Sequence, residues 1–142
     1  MTNFPGAVFV FEVRAQVGEP LDLGLLPAGR RRIVQVLSGT FEGPGLKGRV
    51  LPGGADWQII RADGMFELDA RYTLETDSGQ LVYVQNRGIR HGPPEEPAKV
   101  YFRSVPWFET SAPELQWLTH SIFIGVGERY PSEVVIRFWR VE

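Results

Sequence analysis

Cysteine is absent from the chain, which excludes disulfide staples, thiolate metal ligands and a cysteine nucleophile together. Histidine is nearly absent: only His91 and His120 are present. A histidine-rich metal centre is thereby excluded, and a mixed site would need acidic partners that the sequence does not cluster, so neither metal nor cofactor is expected. Long apolar runs are missing too. The stretch Ala7 to Phe11 is too short for a secretion signal or a membrane span, and Met1-Thr2-Asn3-Phe4-Pro5-Gly6 carries no basic residue. A soluble, cytoplasmic chain without a membrane partner is the expectation. Nor is there an excess of positive charge: 15 Lys and Arg against 17 Asp and Glu leave a net charge of −2, with a pI near 5.7. No nucleic-acid partner is expected from such a balance. The one basic run, Arg30-Arg31-Arg32, is short and precedes an apolar strand, so it reads as a solvated strand entry in preference to an anion contact. Phosphate-cradling glycine loops, nucleophile elbows and dinucleotide fingerprints are also lacking.

What is there points to β-structure. The 142 residues suffice for one domain spanning 1–142, and 43% hydrophobic with 23% charged residues is ordinary globular composition. Nine Phe, four Trp and four Tyr favour strands, because aromatic side chains fit a pleated, half-buried surface. Turn signals recur at short intervals: Pro44-Gly45, Gly53-Gly54, Asp63-Gly64, Asp77-Ser78-Gly79, Gly92-Pro93-Pro94 and Tyr130-Pro131-Ser132. Between two of them, Phe66, Leu68, Ala70, Tyr72 and Leu74 alternate with Glu67, Asp69, Arg71, Thr73 and Glu75, a strand with one wet face. The same pattern predicts strands near 6–14, 32–41, 45–51, 56–61, 65–76, 80–87, 98–105, 121–127 and 133–141. Short connections favour a meander of antiparallel neighbours. A sheet this wide closes on itself, which predicts an all-β, closed up-and-down barrel of about 8–10 strands. One short helix is expected, capped by Ser111 with Glu114 reaching back. Residues 16–30 and 89–97 read as loops at a rim or lid.

Within this frame a few residues could carry chemistry. In Pro52-Gly53-Gly54-Ala55-Asp56-Trp57 an acid stands beside a large aromatic; a desolvated Asp56 would serve as acid or base, whereas the plainer alternative makes it a turn cap with Trp57 in the core. Arg71, with Arg87 and Arg103 on neighbouring strands, would bind an anionic or carbonyl-bearing ligand if that face points inward. Simple alternation instead places Arg71 outside. Trp107-Phe108-Glu109-Thr110 and Trp117 supply aromatics and an acid where the mouth of a barrel would be closed, and His120 follows them, either near a cavity or on the surface.

Several of these segments, in order, resemble an uncharacterised family known as family three-one-one, or domain of unknown function three-two-three-seven. They are Phe41-Glu42-Gly43-Pro44-Gly45-Leu46-Lys47-Gly48, Pro52 to Trp57, Asp69-Ala70-Arg71-Tyr72, Asn86-Arg87-Gly88, Tyr101-Phe102-Arg103, Phe108-Glu109-Thr110, Trp117-Leu118 and Gly125-Val126-Gly127. The resemblance implies a closed barrel of lipocalin-like or allene-oxide-cyclase-like form, without an established general activity. It also draws attention to Asp56, Trp57, Arg71, Tyr72, Arg87, Arg103, Phe108, Glu109 and Trp117, which occupy the motif positions. Where the family reads Trp-Leu-Asn this chain has Trp117-Leu118-Thr119, so a role of that amide does not transfer.

Three functions follow as expectations. One is a metal-free isomerase, cyclase or hydratase acting on a small apolar carbonyl compound. There Asp56 or Glu109 would move the proton, Arg71 or Tyr72 would polarise the carbonyl, and Trp57, Phe108 and Trp117 would wall the pocket, with Arg87, Arg103 and His120 as further ligand contacts. The second is a non-catalytic binder of such a ligand, and the third an assembly subunit with a filled barrel. A homodimer is the default assembly for a subunit of this size.

Overall fold

Period-two alternation builds most of the structure. The computed structural model describes residues 3–142. Its ten strands are β1 Ala7–Val17, β2 Leu21–Leu26, β3 Gly29–Gly43, β4 Leu46–Val50, β5 Gly54–Ile60, β6 Phe66–Thr76, β7 Leu81–His91, β8 Tyr101–Glu109, β9 Phe123–Arg129 and β10 Glu133–Val141. In β6, Leu68, Tyr72 and Leu74 are buried while Glu67 and Arg71 are exposed, as the sequence pattern predicts. β8 repeats the device, with Phe102, Ser104, Pro106 and Phe108 inside and the intervening residues outside.

From β5 to β10 each strand pairs antiparallel with the next. β10 then pairs with β1, and β1 with β3, so the sheet closes without a free edge along the ring. Closure makes eight positions around the axis, because β4 and β5 together fill one of them. Here the fold departs from a simple meander. β4 and β5 do not reverse onto each other but follow end to end between β3 and β6. The physical reason lies in Leu51-Pro52-Gly53: Pro52 has no N–H for the ladder, and Gly53, with φ of +103°, kinks the chain without turning it back. β3, at 15 residues, is long enough to hold both.

Three sequence expectations are corrected. Residues 16–30, expected as a loop, end β1 and form β2 and the start of β3; β2 pairs only with β3, beyond the point where β1 leaves it. Its Gly24 and the preceding Pro20 hid it, since both punctuate strands. Residues 89–97 are likewise strand as far as His91. The helix expected after Ser111 is a 3₁₀ helix over Pro113–Thr119, and its N-terminal flank, Ala112, makes no side-chain cap. Pro113 forces Ala112 into an extended conformation, so Ser111 lies too far back to cap; Thr110 Oγ1 accepts the Ala112 N–H at 3.1 Å instead.

The barrel is solid at one end. Phe11, Phe41, Phe108, Phe123 and Phe138 interlock there with ring centroids 5.1–5.9 Å apart. Leu115 and Leu118 of the 3₁₀ helix join the same core. No helix among the described residues is long and apolar enough to cross a membrane.

Candidate functional site

Beyond the phenylalanine layer the inward residues become small. Val13, Ala15, Val34, Val36 and Ala70 occupy positions that phenylalanines hold at the other end, and they leave an enclosed cavity of about 50 Å³. Such a volume admits about four waters or a guest fragment of a few heavy atoms, and falls well short of the roughly 150 Å³ that takes a benzene ring. β9 contributes space of its own: a Cβ at Gly127 would stand 2.7 Å from the Phe102 ring, and one at Gly125 would collide with Ser104 Oγ. The Gly125-Val126-Gly127 segment therefore lets Phe102 and Ser104 sit in the wall.

Five polar side chains enter this apolar chamber: Asp56, Gln58, Tyr72, Asn86 and Ser104. Gln58 Nε2 donates to Asp56 Oδ2 at 2.9 Å, and the Asp69 backbone N–H donates to Asp56 Oδ1 at 2.9 Å. Desolvation pushes the Asp56 carboxyl above its ordinary value, against the pull of those two hydrogen bonds. Burial likewise raises the Tyr72 hydroxyl, and the nearby Asp56 charge adds to it, so Tyr72 stays protonated and available as a donor. Yet Gln58 Oε1, Tyr72 OH, Asn86 Oδ1 and Ser104 Oγ are all buried without a hydrogen-bond partner. Each such orphan costs on the order of 1–3 kcal/mol, a cost that a polar guest in the chamber removes.

The cavity leads toward a wider mouth of about 560 Å³, walled by Phe66, Val100, Arg103, Val126, Tyr130 and the Pro94–Ala98 rim among others. Arg90 and Arg129 line both spaces. Arg32 joins them, its guanidinium 5.5 Å from the Phe66 ring centre and its Nε buried without a partner. The last arginine of the basic run thus packs at the throat and is not a solvated strand entry.

Of the residues singled out from sequence, Asp56 and Tyr72 meet in the cavity. The others lie elsewhere. Trp57 faces outward, 37% exposed, under the Arg71 guanidinium, which pairs with Asp69 at 3.1 Å. Arg87 is exposed on the outer face, opposite Asp69 and Val105. Arg103 stacks on Tyr101 at 5.1 Å and reaches only the outer mouth. Glu109 is exposed at the end of β8, Phe108 belongs to the solid end, Trp117 packs there against Phe123, and His120 is exposed. The expectation that the 107–117 aromatics close the mouth is corrected: β8 starts at the mouth, so by Trp107 the chain has reached the opposite end. None of the four tryptophans lines the cavity.

Sequence reasoning missed Gln58, Asn86, Ser104, Arg32, Arg90 and Arg129. A signal for most of them exists: they are polar residues in inward register, Arg32 two before Val34, and Asn86 and Arg90 in step with Val82 and Val84. Among the described residues no three His, Asp or Glu side chains gather as a metal site would require.

Comparison with known proteins agrees with this architecture. A family model described as "Protein of unknown function (DUF3237)" matches residues 5–141. A UPF0311 protein of Rhodopseudomonas palustris (strain TIE-1) is 44% identical over 139 residues, 90% of this chain and 91% of that protein. The crystal structure of a conserved protein of unknown function from R. palustris superposes with a TM-score of 0.95 at 42% identity, covering 99% of this chain and 100% of the other. A beta-barrel like protein from Acinetobacter baumannii gives 0.90 at 35% identity over the full length of both chains. The crystal structure of an enzyme from Penicillium herquei gives 0.81 at 21% identity, covering 100% and 98%, a likeness of fold alone.

Proposed function

The chain belongs to this DUF3237 family, and we propose that it binds a small carbonyl compound inside the barrel and moves a proton on it without a metal. The observation that carries this is the set of unpartnered buried polar atoms around one enclosed chamber that also holds Asp56. Four oxygens held out of water without partners, on four different strands, are what a binding site presents before its ligand arrives.

The chemistry follows from the two titratable groups. A carboxylate whose pKa is raised by desolvation is a stronger base than one in water, and Asp56 is such a group. It would take a proton from the carbon beside the carbonyl. The C–H electron pair moves into the carbonyl, and the Tyr72 hydroxyl donates to the oxygen on which charge develops. Return of the proton to another carbon is an isomerisation, and addition of a hydroxyl or of water to a conjugated bond is a cyclisation or hydration; none requires an oxidant or reductant. A second reading, binding without turnover, is favoured by one observation: both Asp56 oxygens already accept a hydrogen bond.

Proton exchange in D₂O separates the two. Small open-chain ketones incubated with the protein are expected to lose α-proton NMR signals faster than without it. Asp56→Asn should abolish the effect, and Tyr72→Phe should slow it by about 10²-fold, the size of one oxyanion contact. Binding seen by calorimetry with no exchange leaves the binder. Exchange that survives Asp56→Asn removes Asp56 from the proton path.

A further inference from the structure

We infer that the throat of the cavity is a carboxylate-binding site, so that the natural guest is a small organic acid held by Arg90 and Arg129, with its carbonyl end toward Asp56 and Tyr72. The orientation of the guest rests on the function proposed above; the anion site stands on the arginines themselves.

Arg90 and Arg129 are the two residues shared by the walls of the chamber and of the mouth, so any guest passes them. On the outer surface Arg14, Arg49, Arg71 and Arg137 each hold a carboxylate within 4 Å. Among the described residues, no such pair forms at Arg32, Arg90 or Arg129, although all three are half-buried. Arg32 and Arg90 are fixed by stacking instead, and Arg129 Nη1 donates to the Tyr130 carbonyl. Arg90 lies 4.5 Å from the Phe66 ring centre and 5.6 Å from that of Phe102, while Arg32 stands over Phe66 as well. Stacking engages the flat face of a guanidinium and leaves its N–H edge free, the edge that a carboxylate takes with two parallel hydrogen bonds.

The charges are also unbalanced. Burial and the neighbouring Arg129 bring Arg90 down to about 10, and burial with the Arg32 charge lowers Arg129. Both arginines remain cationic at neutral pH and repel one another across the throat. Asp56 opposes them from within and the exposed Glu19 acts on Arg129 from outside, but Asp56 is the acid that burial itself pushes toward the neutral form. A carboxylate arriving at this point relieves the repulsion and meets donors that are already oriented. The part of it that enters the chamber must be no more than a few heavy atoms, since that is what the space behind can take.

Pyruvate and methyl pyruvate test this directly, being of similar size and differing in charge. In ¹⁵N NMR titrations pyruvate is expected to shift the Nε–H signals of Arg90 and Arg129 saturably, and to bind about tenfold or more tighter than the ester. Arg129→Gln should remove most of that preference by weakening pyruvate far more than the ester; Arg129→Lys, which keeps the charge without the fork, should retain part of it. Equal affinity for acid and ester, or arginine signals that pyruvate does not move, would overturn the anion site. The chamber is read separately from the Val34 and Val36 methyl signals. If the ester moves them as readily as pyruvate does, the cavity still takes a guest and only the anion site fails. If pyruvate shifts the arginines but not the valines, the anion site stands and the guest does not reach Asp56.

Discussion

At the scale of single residues, the informative contrast is between polar groups that are satisfied and those that are not. Asp56 accepts two hydrogen bonds and still has its carboxyl raised, because removal from water outweighs both. Its sign of linkage to folding follows. With a folded-state pKa above the ordinary 3.8, the favourable contribution of Asp56 is fully present below 3.8 and is lost as pH rises through the folded-state value. Wild type should therefore lose stability relative to Asp56→Asn as the pH is raised from about 3 to about 8, in urea unfolding measured across that range. A difference between the two that stays flat with pH would show that the carboxyl is not strained by burial. The outward carboxylates behave differently: Glu12, Glu75 and Asp69 pair with arginines in contact with solvent, where such pairs contribute little.

At the scale of elements, β9 is the strand on which the hollow depends. Its inward positions include Gly125 and Gly127, and their missing side chains are replaced by Ser104 and the Phe102 ring from β8. Phe102 in turn supports Arg90. Gly127→Ala should force this ring from its place and cost about 1–3 kcal/mol, read as a lower urea midpoint. Gly45→Ala is the control, since a Cβ there meets nothing within 4 Å and its backbone needs no positive φ. An unchanged midpoint for Gly127→Ala would mean that the ring has room to move, and the wall described here would be softer than its geometry. β2 is the contrasting element: it pairs along one edge only, and its leucines Leu21, Leu23, Leu25 and Leu26 are all exposed.

At the scale of the whole molecule, closure joins the first strand to the last, so β1 is held on one side by β10 and on the other by β3. Stability should be distributed accordingly. In native-state hydrogen exchange the β2 amides are expected to exchange well before those of β6 and β7, which are paired on both edges and carry the buried core. Equal protection would make β2 part of the cooperative unit. The sequence by itself determined the class of fold, nine of the strands, and the two alternating faces of β6, because period-two alternation is local and survives in the chain as written. It also marked Asp56. It did not decide which end of the barrel is hollow, nor that Arg32, Arg90 and Arg129 meet at one throat, nor that Trp57, Arg71 and Glu109 are turned away from Asp56. Those facts depend on the register of strands as far apart as 32 and 129. That register is set only when the ring closes and large side chains fill one level while small ones leave the other open.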